Sequence, residues 1–375
     1  MLKRTTLFSQ HQRLGARLVD FGGWEMPVQY SGILDEHQCV RRHAGLFDIA
    51  HMGQVAVSGP KAEPFLQALL TNDVGRLQIG QGQYTLMCLP DGGVVDDLYL
   101  YRLEQDHYWL VINASRVEPD LVWMRGRQQE SNWGDGVTVR DESGTWGAVA
   151  IQGPRCREVL ERALGRWNGE RIVELSKNRI ATGTFDGHPL RVACTGYTGE
   201  DGFEVMAPHA ALPVLWENFL AQGTDAGIKP CGLGARDSLR LEACYPLYGH
   251  ELSETISPVE AGLGFFVAWK KGSFTGAEAL RAQKAEGAPR KIIAIKMVAG
   301  SAPPRGGYKV WSTGPASRPI GELTSGGVSP TLGTGIGLAL VERASVEIGG
   351  PVGVEIRGKR YGAEVVKKPF YRKPV

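Results

Sequence analysis

Residues 55–70 read VAVSGPKAEPFLQALL, and residues 149–164 read VAIQGPRCREVLERAL. In both, a short β-branched run reaches Gly-Pro and gives way to apolar residues at i, i+1, i+4 and i+5, the spacing of a buried helix face. Phe65, Leu66, Leu69 and Leu70 stand where Val159, Leu160, Ala163 and Leu164 stand in the second stretch. Proline cannot donate to a strand ladder, so Gly-Pro ends the strand, and its fixed φ suits a first helical turn. Each stretch is followed by strand-like alternation, at Val94–Tyr101 and Tyr108–Asn113 in the first half and at Leu190–Cys194 and Phe203–Met206 in the second. Helical segments follow around Val117–Gln128 and Leu212–Leu220. The simplest reading is two diverged α+β units; the competing one is chance likeness over sixteen residues.

Beyond Lys291 the pattern changes to period-two alternation broken by Gly and Pro, as in IIAIKMVAG, GELTSGG, GIGLALV, PVGVEIRG and YGAEVVKK. Short strands without a long helix predict a small antiparallel barrel or sandwich. Lys271–Pro289 reads as a connecting helix and linker. The expected division is 1–285 for the paired units and 286–375 for the β domain.

A chain of 375 residues suits two or three domains. Its 50 glycines and 21 prolines predict many tight turns. The net charge of +2 leaves no basic stripe for nucleic acid. Six widely spaced cysteines without a CxxC pair argue against a metal cluster or a disulfide framework, and for reduced thiols. No apolar run reaches the roughly 18 residues of a membrane span. The start Met1-Leu2-Lys3-Arg4-Thr5-Thr6 lacks the apolar core of a signal peptide, so the cytoplasm is the expected compartment.

Four polar clusters interrupt apolar sequence. In Gly92-Gly93-Val94-Val95-Asp96-Asp97-Leu98-Tyr99, alternation sends Val95, Asp97 and Tyr99 to one face and Val94, Asp96 and Leu98 to the other. Either both aspartates cap the turn, or one sits in a partly buried pocket that supplies donors. Thr195-Gly196-Tyr197-Thr198-Gly199-Glu200-Asp201-Gly202-Phe203-Glu204 is a tight loop entering a strand rather than a dinucleotide fingerprint. Glu204 is then an exposed strand residue or a ligand anchor, offering two acceptor oxygens to an amide-like heterocycle edge. In Gly232–Ala243, Arg236, Arg240 and Ala243 share a helix face, and Asp237 could pair with Arg240. A surface ion-pair face is the plain explanation. The fourth cluster joins Phe21-Gly22-Gly23-Trp24-Glu25-Met26-Pro27 to Phe47-Asp48-Ile49-Ala50-His51-Met52-Gly53, as a flat apolar slot or as core packing. His51 has no evident partner in sequence and stays outside the catalytic set.

Taken in order, these clusters resemble the aminomethyltransferase of the glycine cleavage system, the T-protein family. Thr71-Asn72-Asp73, Gly321-Glu322-Leu323-Thr324-Ser325-Gly326 and Lys368-Pro369-Phe370-Tyr371 extend the likeness over nearly the whole chain. The resemblance implies an α+β, three-lobed fold around a tetrahydrofolate site, closed by a C-terminal antiparallel β-barrel. It implies that an aminomethyl group arrives on the lipoyl group of the H-protein, that ammonia leaves, and that the carbon passes to tetrahydrofolate as 5,10-methylenetetrahydrofolate. Association with the P- and L-proteins is implied too, and no metal. Carried onto this sequence, Asp97 is the catalytic aspartate, hydrogen-bonding the folate nitrogens and stabilising positive charge as ammonia departs. Glu204 holds the polar pterin edge with Tyr84 and Met52, Arg236 reaches the folate, and Tyr371 is a further folate-binding match. A non-catalytic folate-binding iron–sulfur assembly protein of the same superfamily is the alternative. Those relatives lack the aspartate and carry a Cys-containing signature, whereas this chain has Asp97 and reads Leu247-Tyr248-Gly249-His250-Glu251. A folate-dependent demethylase half is a further rival, normally fused to a flavin domain that is not expected ahead of residue 1.

Overall fold

The structure is a computed structural model that describes residues 1–130, 133–167 and 170–374. In chain order the first part runs α1 (Phe8–Arg13), β1 (Arg17–Phe21), β2 (Trp24–Gln29), α2 (Ile33–Arg42) and β3 (Ala44–Asp48). Next come β4 (Gly53–Ser58), α3 (Ala62–Leu69), β5 (Gln81–Cys88), β6 (Val94–Glu104), β7 (His107–Ile112), α4 (Val117–Gln128) and β8 (Thr138–Asp141). The second run is β9 (Trp146–Gln152), α5 (Cys156–Leu164), the short β10 (Arg166–Trp167) and β11 (Glu170–Arg171), then β12 (Ile180–Phe185), β13 (His188–Ala193), β14 (Gly202–Pro208), α6 (Leu212–Gln222) and β15 (Ile228–Cys231). After α7 (Leu233–Glu242) and α8 (Ala277–Glu286) come six strands. These are β16 (Arg290–Met297), β17 (Lys309–Trp311), β18 (Pro319–Ser329), β19 (Thr334–Glu342), β20 (Pro351–Ile356) and β21 (Lys359–Val366).

The internal repeat is visible in the topology. One sheet orders its strands β5-β6-β7-β4-β8 and the other β12-β13-β14-β9-β3-β15. Matching β4 with β9 and α3 with α5 makes the two orders run alike, except that β3 enters the second sheet between β9 and β15. The turns match as well. Gly59 and Gly153 have φ of +115° and +126°, and a Cβ on either would lie 2.5 Å from a backbone oxygen. Only glycine accepts that conformation at low cost. The prolines differ from expectation, because Pro60 and Pro154 stand two residues ahead of α3 and α5. Each helix is led by a turn closed from Ala62 N to Gly59 O at 2.9 Å or from Cys156 N to Gly153 O at 3.0 Å.

The chain packs as two compact units, one made of Met1–Gln67, Val74–Tyr84 and Leu98–Asp237, the other of Ala68–Asp73, Thr85–Asp97 and Ser238–Val375. The core of the first gathers Leu46, Val149, Ile151, Leu160, Phe203, Val205, Trp216 and Phe219 from strands and helices of the second sheet's layer. Removing so many large side chains from water is the main stabilising term.

The second unit contains a closed barrel, in the order β16-β19-β18-β17-β20-β21, with β21 returning to β16 and every pair antiparallel. A sandwich, the other possibility read from the alternation, is thereby set aside. In β20, Val352, Val354 and Ile356 point inward while Pro351, Gly353 and Glu355 are less covered, the period-two signature of a strand with one dry face. Among the described residues no helix is long and apolar enough to cross a membrane.

Candidate active site

The loop Thr195–Asp201 is shaped by one buried glutamine. Gln152, at the end of β9, donates from Nε2 to Thr195 O at 3.2 Å and accepts from Thr198 Oγ1 at 3.0 Å. A Cβ on Gly196 would lie 1.9 Å from this side chain, and one on Gly202 would lie 2.1 Å from it. The two glycines therefore make room for a staple that holds both ends of the loop. Arg41 adds a second tie, donating to Thr198 O at 2.8 Å and pairing with Glu200 at 2.8 Å, with both side chains buried.

Beyond the loop, β14 presents Glu204, paired with Ala193 on one side and Ala150 on the other. It is partly buried. Thr195 Oγ1 donates to its Oε2 at 2.7 Å, and Thr195 in turn meets the Tyr101 hydroxyl at 3.1 Å. The other carboxylate oxygen has no hydrogen bond among the described residues. Burial raises the Glu204 pKa, while the Thr195 hydroxyl and the charge of Arg236 oppose the rise. Burial also pushes the Tyr101 phenol up, and Glu204 adds to that shift. Tyr99 stacks on Tyr101 at 5.1 Å.

Arg236 comes from the first turn of α7, which follows directly on β15. Its guanidinium lies 4.7 Å from the Tyr197 ring centroid. Burial lowers its pKa, and Tyr197 and Glu204 counter this. The Glu204 carboxylate and the Arg236 guanidinium, both partly buried, thus act on each other and on the phenols of Tyr101 and Tyr197 through their charges. His51 belongs to the same electrostatic group. It is 4% exposed, its Nδ1 has no hydrogen-bond partner, and burial takes its pKa to about 4, with Asp48 opposing and Arg236 assisting. It is a neutral imidazole at pH 7, set edge-on to Phe21 at 5.8 Å and tilted against Trp24 at 6.4 Å. Met52 is half-buried beside it in the turn from β3 to β4, and Tyr84 is half-buried on β5.

Asp97 and Tyr371 are described with the second unit. On β6 the alternation holds: Asp96 is fully buried and Asp97 half-buried, with Leu98 buried and Tyr99 half-buried after them. The turn ahead of them is capped by Asp91, whose Oδ1 accepts from Gly93 N at 3.0 Å. β6 is anchored just before Asp97 by Val94 N, which donates to Ser253 O at 2.9 Å, and by the Tyr248 hydroxyl, which donates to Val94 O at 3.1 Å. Tyr371 follows the barrel, half-buried, and its N–H donates to Glu242 O at 2.9 Å.

The surface ion-pair face expected on α7 is overturned. Arg240 is 2% exposed and pairs with buried Glu251 at 2.9 Å, and Arg236 is held against Tyr197. Charge interactions link Glu204 to Arg236 and bring in Tyr101 and His51, while direct contacts bring in Thr195 and Tyr197; the sequence placed none of these four in the site. Thr195 and Tyr197 opened a loop already singled out, and Tyr101 continues the alternation of Asp97 and Tyr99, so a signal existed for each.

An α+β scaffold ending in a closed barrel hosts many chemistries, and it is the full-length relatives that give the class, a transferase. Residues 7–271 match the GCVT N-terminal domain and residues 290–372 the Glycine cleavage T-protein C-terminal barrel domain. The chain belongs to the glycine cleavage T-protein family. It is 48% identical to an aminomethyltransferase of Geobacillus kaustophilus over 100% of both chains. It is also 48% identical to that of Moorella thermoacetica, over 100% of this chain and 99% of the relative. The crystal structure of glycine cleavage system aminomethyltransferase T from Bartonella henselae superposes with a TM-score of 0.91 at 34% identity, covering 100% of this chain and 99% of that one.

Proposed function

We propose that this chain releases ammonia from the aminomethyl-lipoyl H-protein and transfers the carbon to tetrahydrofolate, giving 5,10-methylenetetrahydrofolate, in the cytoplasm and alongside the P- and L-proteins. In that reaction the carbon exchanges its bonds to nitrogen and sulfur for bonds to two folate nitrogens; ammonia and the lipoyl thiol leave. We assign residues 1–285 to folate binding and catalysis. The observation that carries the reading is Glu204. One of its oxygens is held by Thr195 while the other is open, and the charge of Arg236 acts on the carboxylate. An open carboxylate oxygen suits the N–H edge of a pterin, and Tyr197, Met52 and the orphaned His51 nitrogen supply flat and polar surroundings that fit such a ring. Tyr84 and Tyr371 complete the assigned folate contacts.

Asp97 is assigned the catalytic part: its carboxylate receives hydrogen bonds from the reacting folate nitrogens and sets negative charge where positive charge develops. Such preorganised electrostatics act most strongly where water is excluded. The test is an ammonia-release assay with and without H-protein and tetrahydrofolate. Release requiring both supports the reading, and release without either rejects it. Asp97→Asn keeps the fold and much of the folate affinity but loses about 100-fold or more in turnover. Near wild-type turnover in that variant would remove Asp97 from the mechanism.

A further inference from the structure

A cavity of about 510 Å³ lies in the first unit, at residues of β4, the β6–β7 hairpin, β8, the start of β9 and Arg191 of β13, and none of the residues assigned to folate lines it. Its size is that of small-molecule sites. Arg191 is one of its lining residues. The guanidinium carbon lies 3.7 Å from the Trp109 ring centroid and 4.0 Å from that of Trp146, two rings that themselves meet edge to face at 5.4 Å. Trp109 is locked in turn by its indole N–H, which donates to Gln54 Oε1 at 2.7 Å. The arginine is therefore oriented before any ligand arrives.

What it lacks is an acceptor. Arg191 Nη1 is buried without a partner, and the guanidinium has neither hydrogen bond nor ion pair among the described residues. A planar fork of donors with Nη1 buried and none of its nitrogens hydrogen-bonded among the described residues is complementary to a carboxylate. Burial brings its pKa down to about 10, the nearby charge of Glu142 opposing, so it stays cationic at neutral pH.

The walls narrow the choice of anion. Two arginines, Arg140 and Arg191, face three carboxylates, Glu104, Asp106 and Glu142, so the fixed charge is negative by one. Arg140 is drawn to Glu142 at 3.7 Å, and His107 adds no charge at neutral pH because burial and Arg191 lower its pKa. Such a lining repels a dianion. It accepts a molecule whose carboxylate meets Arg191 and whose own cation meets the acidic rim. We propose that this cavity is a binding site for an amino-acid zwitterion, separate from the folate cluster.

The test is isothermal titration of the full-length chain with each standard α-amino acid, and with acetate and methylammonium as half-ligands. At least one amino acid binds saturably, at least about tenfold more tightly than either half-ligand. Arg191→Met, which keeps an unbranched side chain at the position but removes the guanidinium, weakens that binding by at least about tenfold. Glu104 is exposed, so Glu104→Lys leaves the fold intact; it weakens the amino acid and strengthens acetate. The Glu204→Ala variant binds the amino acid as the wild type does. The site is refuted if no amino acid binds, if acetate binds as tightly, if neither Arg191→Met nor Glu104→Lys changes affinity, or if Glu204→Ala abolishes it.

Discussion

Glu200 and Glu204 are both carboxylates of one short segment, and their surroundings give them different work. Glu200 is spent on Arg41, with which it forms a buried pair that holds the loop. Glu204 is held by a single neutral hydroxyl and keeps one oxygen open, at the cost of a raised pKa. A group kept under-satisfied in this way is where ligand binding is expected. Glu204→Ala therefore weakens tetrahydrofolate binding by about tenfold or more and leaves Asp97 in place. A fluorescence titration with unchanged affinity would count against the assignment. Sequence patterning located this segment but could not choose between the two acids, since the choice depends on Arg41, from a distant helix. The same limit misjudged Arg240, whose burial against Glu251 no helical spacing reveals.

Elements were legible where their signal is local. β6, β7, α4 and α6 lie where alternation and helical spacing put them, whereas β17 went unseen because three residues between glycine-rich turns carry no period. Glycines give the sharpest element-scale test, because two of them meet opposite settings. Gly93, which leads into β6, would set a Cβ 1.8 Å from Glu254 O, a backbone atom that cannot rotate away. Gly126, exposed within α4, has nothing within 4 Å of that position. Gly93→Ala lowers stability by about 1–3 kcal/mol, through a forced backbone shift next to the strand that carries Asp97. Gly126→Ala raises stability by about 0.5–1 kcal/mol, since a helix interior favours alanine. Urea denaturation of both variants reads the two signs, and equal effects would mean that the close approach at Gly93 plays no part.

At the scale of the whole molecule, the doubled α+β plan and the C-terminal barrel follow from patterns repeated along the chain. The pairing of β3 between β9 and β15 does not, because it joins residues 101–107 positions apart on one side and 184 on the other, beyond the reach of any local period. Nor does the composition of the second unit, which gathers two short stretches of the first hundred residues with everything after Asp237. One buried ion pair organises that unit. Arg240 Nη1 meets Glu251 Oε2 at 2.9 Å, and Nη2 donates to Ser325 Oγ at 2.9 Å on β18 of the barrel. Glu251 is completed by Leu247 N at 3.1 Å and by Thr324 Oγ1 at 2.5 Å. The end of α7, the turn after it and a barrel strand therefore share a single satisfied network. Removing the cation alone strands a carboxylate among buried neighbours, which costs about 3–5 kcal/mol, whereas removing both charges costs less. Arg240→Met thus lowers unfolding stability by that amount, and adding Glu251→Leu restores part of it, with a coupling of about 0.5–3 kcal/mol in the double-mutant cycle. Chemical denaturation of the two single variants and the double decides the matter: strictly additive losses would show that α7 and the barrel are held by packing rather than by this pair.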